Sequence, residues 1–158
     1  SVSESLRQER LLMSPITLAV LDMAGTTVAD DGLVLRAFAA AAEAEALKNK
    51  WAVSIAIVDD GGHLLWLQRL DGAAAVSSHI APAKAHMAAL GRRESKVYED
   101  MINGGRASFL SAPELSGMLE GGVPIMKDGH CLGAVGVSGV KSNEDAQIAK
   151  AGIAAIGL

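Results

Sequence analysis

Residues 53–73 read VSIAIVDDGGHLLWLQRLDGA. Residues 52–58 are rich in β-branched side chains, Asp59-Asp60-Gly61-Gly62 is turn chemistry, and 63–70 resume an apolar run before the next turn signal, Asp71-Gly72. Two short extended runs joined by such a turn predict a β-hairpin.

Downstream, residues 77–90 place small and apolar side chains at helical spacing. Ser77 or Ser78 is the expected cap, Pro82 is tolerable only in the first turn, and the helix should end at Gly91. Residues 92–122 are polar and glycine-punctuated, with a short helix expected over 95–102 and a loop through Gly104, Gly105 and Pro113. A second hairpin, 123–127 and 131–137, turns on Asp128-Gly129. Ser142 is then expected to cap a last helix to about residue 156, and Ser142 with Asp145 has capping-box spacing, Asp replacing the usual Glu or Gln.

Upstream, residues 33–50 are Ala-rich with Leu, Glu and Lys, and Asp30 or Asp31 can cap them, so a helix is expected. Residues 16–21 (ITLAVL), followed by Gly25 and Asp30-Asp31-Gly32, suit a buried strand. Residues 1–15 read as a polar arm without the pattern of a signal peptide, and 16–158 as one domain. Strands and helices in this order predict an α+β fold.

Half of the 158 residues are apolar, enough to bury a core. A formal charge of −4, with no basic cluster beyond Arg92-Arg93, argues against nucleic acid as a partner. The longest nearly apolar run, 132–137, is far shorter than the roughly 20 residues of a membrane span. Cys131 is the only cysteine, so no intrachain disulfide can form and a cytoplasmic location is the default expectation.

The blocks VSIAIVDDGGHLLWLQRLDGA (53–73), APAKAHMAA (81–89), GGVPI (121–125) and GAVGVSG (133–139), with Asp145 beyond, resemble in order the GlcG/HbpS family, which includes the C-terminal domain of PduO-type corrinoid adenosyltransferases. The resemblance covers about residues 46–158. It implies a profilin-like α/β/α sandwich on a five-stranded antiparallel sheet, self-association up to octamers, and haem or a corrinoid as ligand. Residues 16–45 depart from that family. Within them LAVLDMAGTTV (18–28) resembles the first motif of haloacid-dehalogenase-type phosphohydrolases, phosphonatases in particular, with Asp22 in the place of the nucleophile and Gly25, Thr26 and Thr27 in that of the phosphate loop. The later cation and acidic pair of such enzymes are missing.

Arg69 and Asp71, at a strand end, are candidates for gripping a carboxylate or haem propionate, or else form a surface pair of little weight. Lys84 on the following helix is a second candidate anion clamp. His79 and His86 share a helix face about 10.5 Å apart along the axis, so they cannot ligate one ion, but either can be a lone axial haem ligand. His63 and His130, beside tight turns, read as exposed, and no His precedes residue 63. Gly121, Gly122, Ser138 and Gly139 either let the backbone approach an anionic ligand or serve turns and close packing. GAVGVSG lacks the dinucleotide fingerprint, so NAD is not expected, and no spacing supplies a zinc site or a Ser/His/Asp triad. The function expected is an oligomeric binding protein that carries, senses or handles haem or a similar planar anionic cofactor, in a pocket between the 77–90 helix and the glycine-rich strands. The alternative is a small enzyme acting on a carboxylate metabolite, Arg69 or Lys84 holding the anion and His79 or His86 moving a proton.

Overall fold

The 53–73 stretch forms its hairpin. In the computed structural model, which describes residues 31–157, strand β1 (Ser54–Asp59) pairs antiparallel with β2 (Leu64–Arg69). The chain enters through helix α1 (Asp31–Lys48) and continues after β2 into α2 (Ser77–Gly91), α3 (Lys96–Asn103) and a 3₁₀ turn (Ala107–Ser111). The second hairpin, β3 (Gly122–Lys127) and β4 (His130–Ser138), precedes the final helix α4 (Ser142–Ala154). The strand order is β2-β1-β4-β3, antiparallel throughout, so β4 runs beside β1 from Ser54↔Ser138 to Asp59↔Gly133.

Among the described residues the sheet has four strands, not the five implied by the resemblance. The two hairpins supply all four, and the glycine-punctuated segment before β3 forms a 3₁₀ turn instead of a strand. The strand expected over 16–21 lies outside the described residues.

Helices cover both faces. On one, α1 and α4 pack together and against Ile55, Ile57, Val135 and Val137; an alanine row on α1 (Ala39, Ala42, Ala46) lets the helices close over Gly152. On the other, α2 lays Ala81, Ala85, Ala88 and Ala89 on Ala56, Val58 and Ala134. Small side chains on both partners bring helix and sheet backbones close, so van der Waals contact replaces bulky interdigitation. A satellite cluster of Met87, Tyr98 and Met118 packs beneath the long segment before β3. No helix among the described residues is long and apolar enough to cross a membrane.

Three local expectations are corrected. Neither Ser77 nor Ser78 caps α2: its N-cap is Val76, and the two hydroxyls donate instead to the carbonyls of Ala74 and Ala75. Pro82 lies inside α2, beyond the first turn, where no proline N–H can answer the Ser78 carbonyl. Lys141, not Ser142, is the N-cap of α4, and Glu144 accepts its N–H at 3.1 Å, freeing Asp145 for another partner.

Candidate functional site

At the corner where α1 ends beside the end of β2 the elements stand apart. Helix α1 ends at Lys48, Asn49 and Lys50 form the turn, and Lys50 takes the left-handed region (φ 59°), redirecting the chain so that Trp51 packs partly against the core. The gap is a cavity of about 400 Å³ lined by α1 residues Glu43 and Leu47, by Lys50, Trp51 and Ala52, and by Gln68, Arg69, Leu70 and Asp71. That volume lies within the range of small-molecule sites. Leu47, Trp51 and Leu70 make an apolar wall, and the rim carries two cations and two carboxylates. Gln68 Nε2 donates to Glu43 Oε2 at 2.8 Å, tying strand to helix across the floor.

Arg69 and Asp71 thus reach a cavity, although not the one expected between α2 and the glycine-rich strands. Arg69 is exposed, and its Nε and Nη2 donate to the Ala73 carbonyl at 3.0 and 2.8 Å. This fixes the guanidinium plane at the rim. No Arg69–Asp71 ion pair forms between the described side chains.

Lys84 does not stand at a surface rim. It is buried, and Nζ donates to the Val137 carbonyl and to Asp145 Oδ2, both at 3.0 Å, while Asp145 Oδ1 accepts the Val140 N–H at 3.2 Å. The ammonium joins α2, β4 and α4 in the interior, away from the surface that an anion clamp would occupy. Burial pushes the Asp145 carboxyl above the ordinary carboxylate range, with the Lys84 charge opposing the shift.

The glycines take the packing role. A Cβ on Gly122 would stand 2.2 Å from the Lys84 carbonyl oxygen, one on Gly121 2.8 Å from Lys84 Nζ, and one on Gly139 2.5 Å from the Ala52 carbonyl. Ser138 is buried opposite Ser54. These positions pack closely against backbone and side chains of the chain itself.

The histidines divide between the two ends of the sheet. His79 is exposed on the first turn of α2, at the same end as Arg69. His86 is half-buried at the opposite end, with Nδ1 3.0 Å from the Gly62 carbonyl in the β1–β2 turn. A proton on Nδ1 makes that hydrogen bond and leaves the Nε2 lone pair for an acceptor role or a metal. His63, also at the hairpin end, rests Nδ1 on Asp59 at 3.1 Å. The length of β2, about 20 Å at the usual rise per residue, separates Arg69 from His86. Cys131 is half-buried, its Sγ 3.3 Å from the Gly133 carbonyl, and His130 is exposed. No cluster of three metal-ligating side chains occurs among the described residues.

Sequence reasoning missed Lys50, Leu47 and Gln68 as lining residues, and the Lys84–Asp145 pair. The available signals were a tryptophan directly after a helix end and a lone lysine on an otherwise alanine-rich helix face.

A family model described as haem degrading protein HbpS-like matches residues 34–154. Protein GlcG of Escherichia coli is 57% identical over 102 residues, covering 65% of this chain and 75% of GlcG. The corrinoid adenosyltransferase PduO of Salmonella typhimurium is 32% identical over 109 residues, 67% of this chain but 32% of PduO. Among solved structures, a PduOC:haem complex superposes with a TM-score of 0.72 at 27% identity, covering 84% of this chain and 96% of that one. A double mutant of Streptomyces reticuli HbpS superposes at 0.70 with 30% identity, covering 78% and 84%. None of these matches supports the dehalogenase-like reading of 18–28, which lies outside the described residues. With a matched region spanning α1 to α4, the chain belongs to the HbpS-like family.

Proposed function

We propose that this protein is a self-associating binding protein for haem or a closely similar planar anionic tetrapyrrole, a corrinoid included, which it carries, senses or handles. The observation that supports this best within the molecule is the corner cavity. An apolar wall with Trp51 offers a face for a conjugated ring, and Arg69 and Lys50 at the rim offer charge-assisted donors for carboxylates. The haem complex of a structurally similar domain supports the ligand class.

The donor set fits the organic part of haem better than its iron. The lining residues include no His, Cys or Met. An imidazole would come from His79 at the same sheet end, or the ring would sit at the hairpin end on His86, without Arg69. When bound, the iron would supply redox and ligand-exchange chemistry; the chain's own residues orient the ring, pair with its carboxylates and shield one face from water.

Haemin titration followed by absorption spectroscopy tests the reading. The expected result is a Soret shift saturating at one haem per chain. Loss of the shift in His79→Ala alone puts the ring at the Arg69 end, and loss in His86→Ala alone moves it to the hairpin end. A non-saturating signal overturns the haem reading. Because the family description includes degradation, loss of Soret absorbance with reductant and dioxygen would extend binding to turnover.

A second reading, an enzyme for a small carboxylate metabolite, draws on the cavity's modest volume and its rim of opposed charges. It predicts turnover without a haem-dependent spectrum. With no match supporting a phosphohydrolase, Asp22→Asn should remove no activity.

A further inference from the structure

The two sheet edges are finished differently. β3 (GVPIMK) carries Pro124, which has no N–H to offer, and ends in Lys127; proline and lysine are the usual guards against edge-to-edge association. β2 (LLWLQR) has no Pro, no Gly and no charge before Arg69. Its one irregularity is a bulge at its start, where the register steps from Ile57↔Trp66 to Val58↔Leu64. From Trp66 onward the edge is plain. Because the Leu70 N–H donates inward to Val53 O at 2.9 Å, alternation turns the N–H and C=O of Leu67 and Arg69 outward, away from β1. No described strand pairs with them. Leu64, Leu65 and Leu67 are 51, 44 and 44% exposed.

We propose that β2 pairs antiparallel with β2 of a second copy about a two-fold axis through Leu67, forming a continuous eight-stranded sheet. The edge is self-complementary in that arrangement. The Leu67 N–H and C=O answer those of the partner's Leu67, and the two side chains meet on the α2 face. Each Arg69 advances toward the acidic β1–β2 turn of the other copy, and Asp71 comes opposite the partner's His63, so no like charges are opposed. The pairing also brings an imidazole to the rim of a cavity that has none of its own. This inference specifies the surface for the self-association proposed above and stands whether or not haem is the ligand.

Symmetry makes the test sharp. In the full chain with Cys131→Ser, Leu67→Cys should form an interchain disulfide on mild oxidation. Hydrogen-bonded antiparallel pairs hold their Cα atoms about 5.5 Å apart, within disulfide reach. Leu90→Cys, exposed on α2 away from the edge, should not. Light scattering should give a dimer or a multiple of one, and Leu67→Lys, which opposes two ammonium groups, should raise the dissociation constant by about 100-fold. Circular dichroism checks that this variant folds, and the cross-link is independent of it. Equal cross-linking at both positions, or an oligomer indifferent to Leu67→Lys, overturns the proposal. A monomer whose Leu67 and Arg69 amides exchange slowly also overturns it, in favour of residues 1–30 covering the edge. None of these measurements involves ligand, so failure here is distinguishable from failure of the haem reading.

Discussion

The two sides of the molecule handle polar groups in opposite ways. Where α2 meets β3 and β4, glycines admit the helix backbone and the Lys84–Asp145 pair is sealed beneath it with every partner satisfied. Where α1 meets the end of β2, Trp51, Leu47 and Arg69 line an open cavity with charged groups at its rim. Glycine-rich segments here mark closure, and bulky residues at an element's end mark access.

The sharpest way to break this contrast is at the buried pair. Lys84→Met leaves a buried carboxylate without its cation and should cost about 3–5 kcal/mol by urea unfolding. Lys84→Met with Asp145→Leu should recover most of that loss. The single variant's deficit should shrink as pH falls below neutrality. A carboxyl whose folded-state pKa is raised binds its proton in the folded state first, so its contribution to stability grows on acidification and is lost as pH rises.

Gly122→Ala should cost about 3 kcal/mol, since backbone must move to relieve the contact with the Lys84 carbonyl. Gly129→Ala, with open space around it, tests only the left-handed turn and should cost less.

Arg69→Ala should leave the melting temperature nearly unchanged but weaken ligand binding by roughly 1.5–3 kcal/mol, the range for a hydrogen bond to a charged group. Arg69→Lys should restore part of it, because a point charge cannot reproduce the guanidinium fork. Unchanged affinity would mean that the cavity is not the binding place. The smallest effect is expected at His86→Ala, about 1 kcal/mol of stability from the lost bond to Gly62, read by thermal unfolding.

The element order was legible because the hairpins announce themselves. Asp128-Gly129 supplies two consecutive positive φ values (50° and 79°), and Gly62 closes the first turn at φ 80°. Arg69 and Asp71 were legible as rim residues because a strand end before a turn signal is a place of convergence. The cap at Ser142 and Asp145 was displaced by one residue to Lys141 and Glu144, and the ion-pair partner of Asp145 was invisible to any local window because it lies 61 residues upstream. The cavity was hidden likewise, since it depends on how far the end of α1 stands from β2. The burial of Lys84 is not legible in sequence, because a lysine on an alanine-rich helix looks the same whether its ammonium meets solvent or a buried carboxylate.

The loop from Leu70 to Val76 is held from both sides. Arg69 grips the Ala73 carbonyl, and the Ser77 hydroxyl donates to the Ala74 carbonyl at 2.6 Å. With the Ser77 proton so committed, the 2.7 Å contact between Ser54 and Ser77 must run with Ser54 as donor. These bonds hold the rim of the cavity without a ligand. Association at this corner would proceed at a rate set by diffusion and desolvation, with little of the entropic toll that a closing lid imposes.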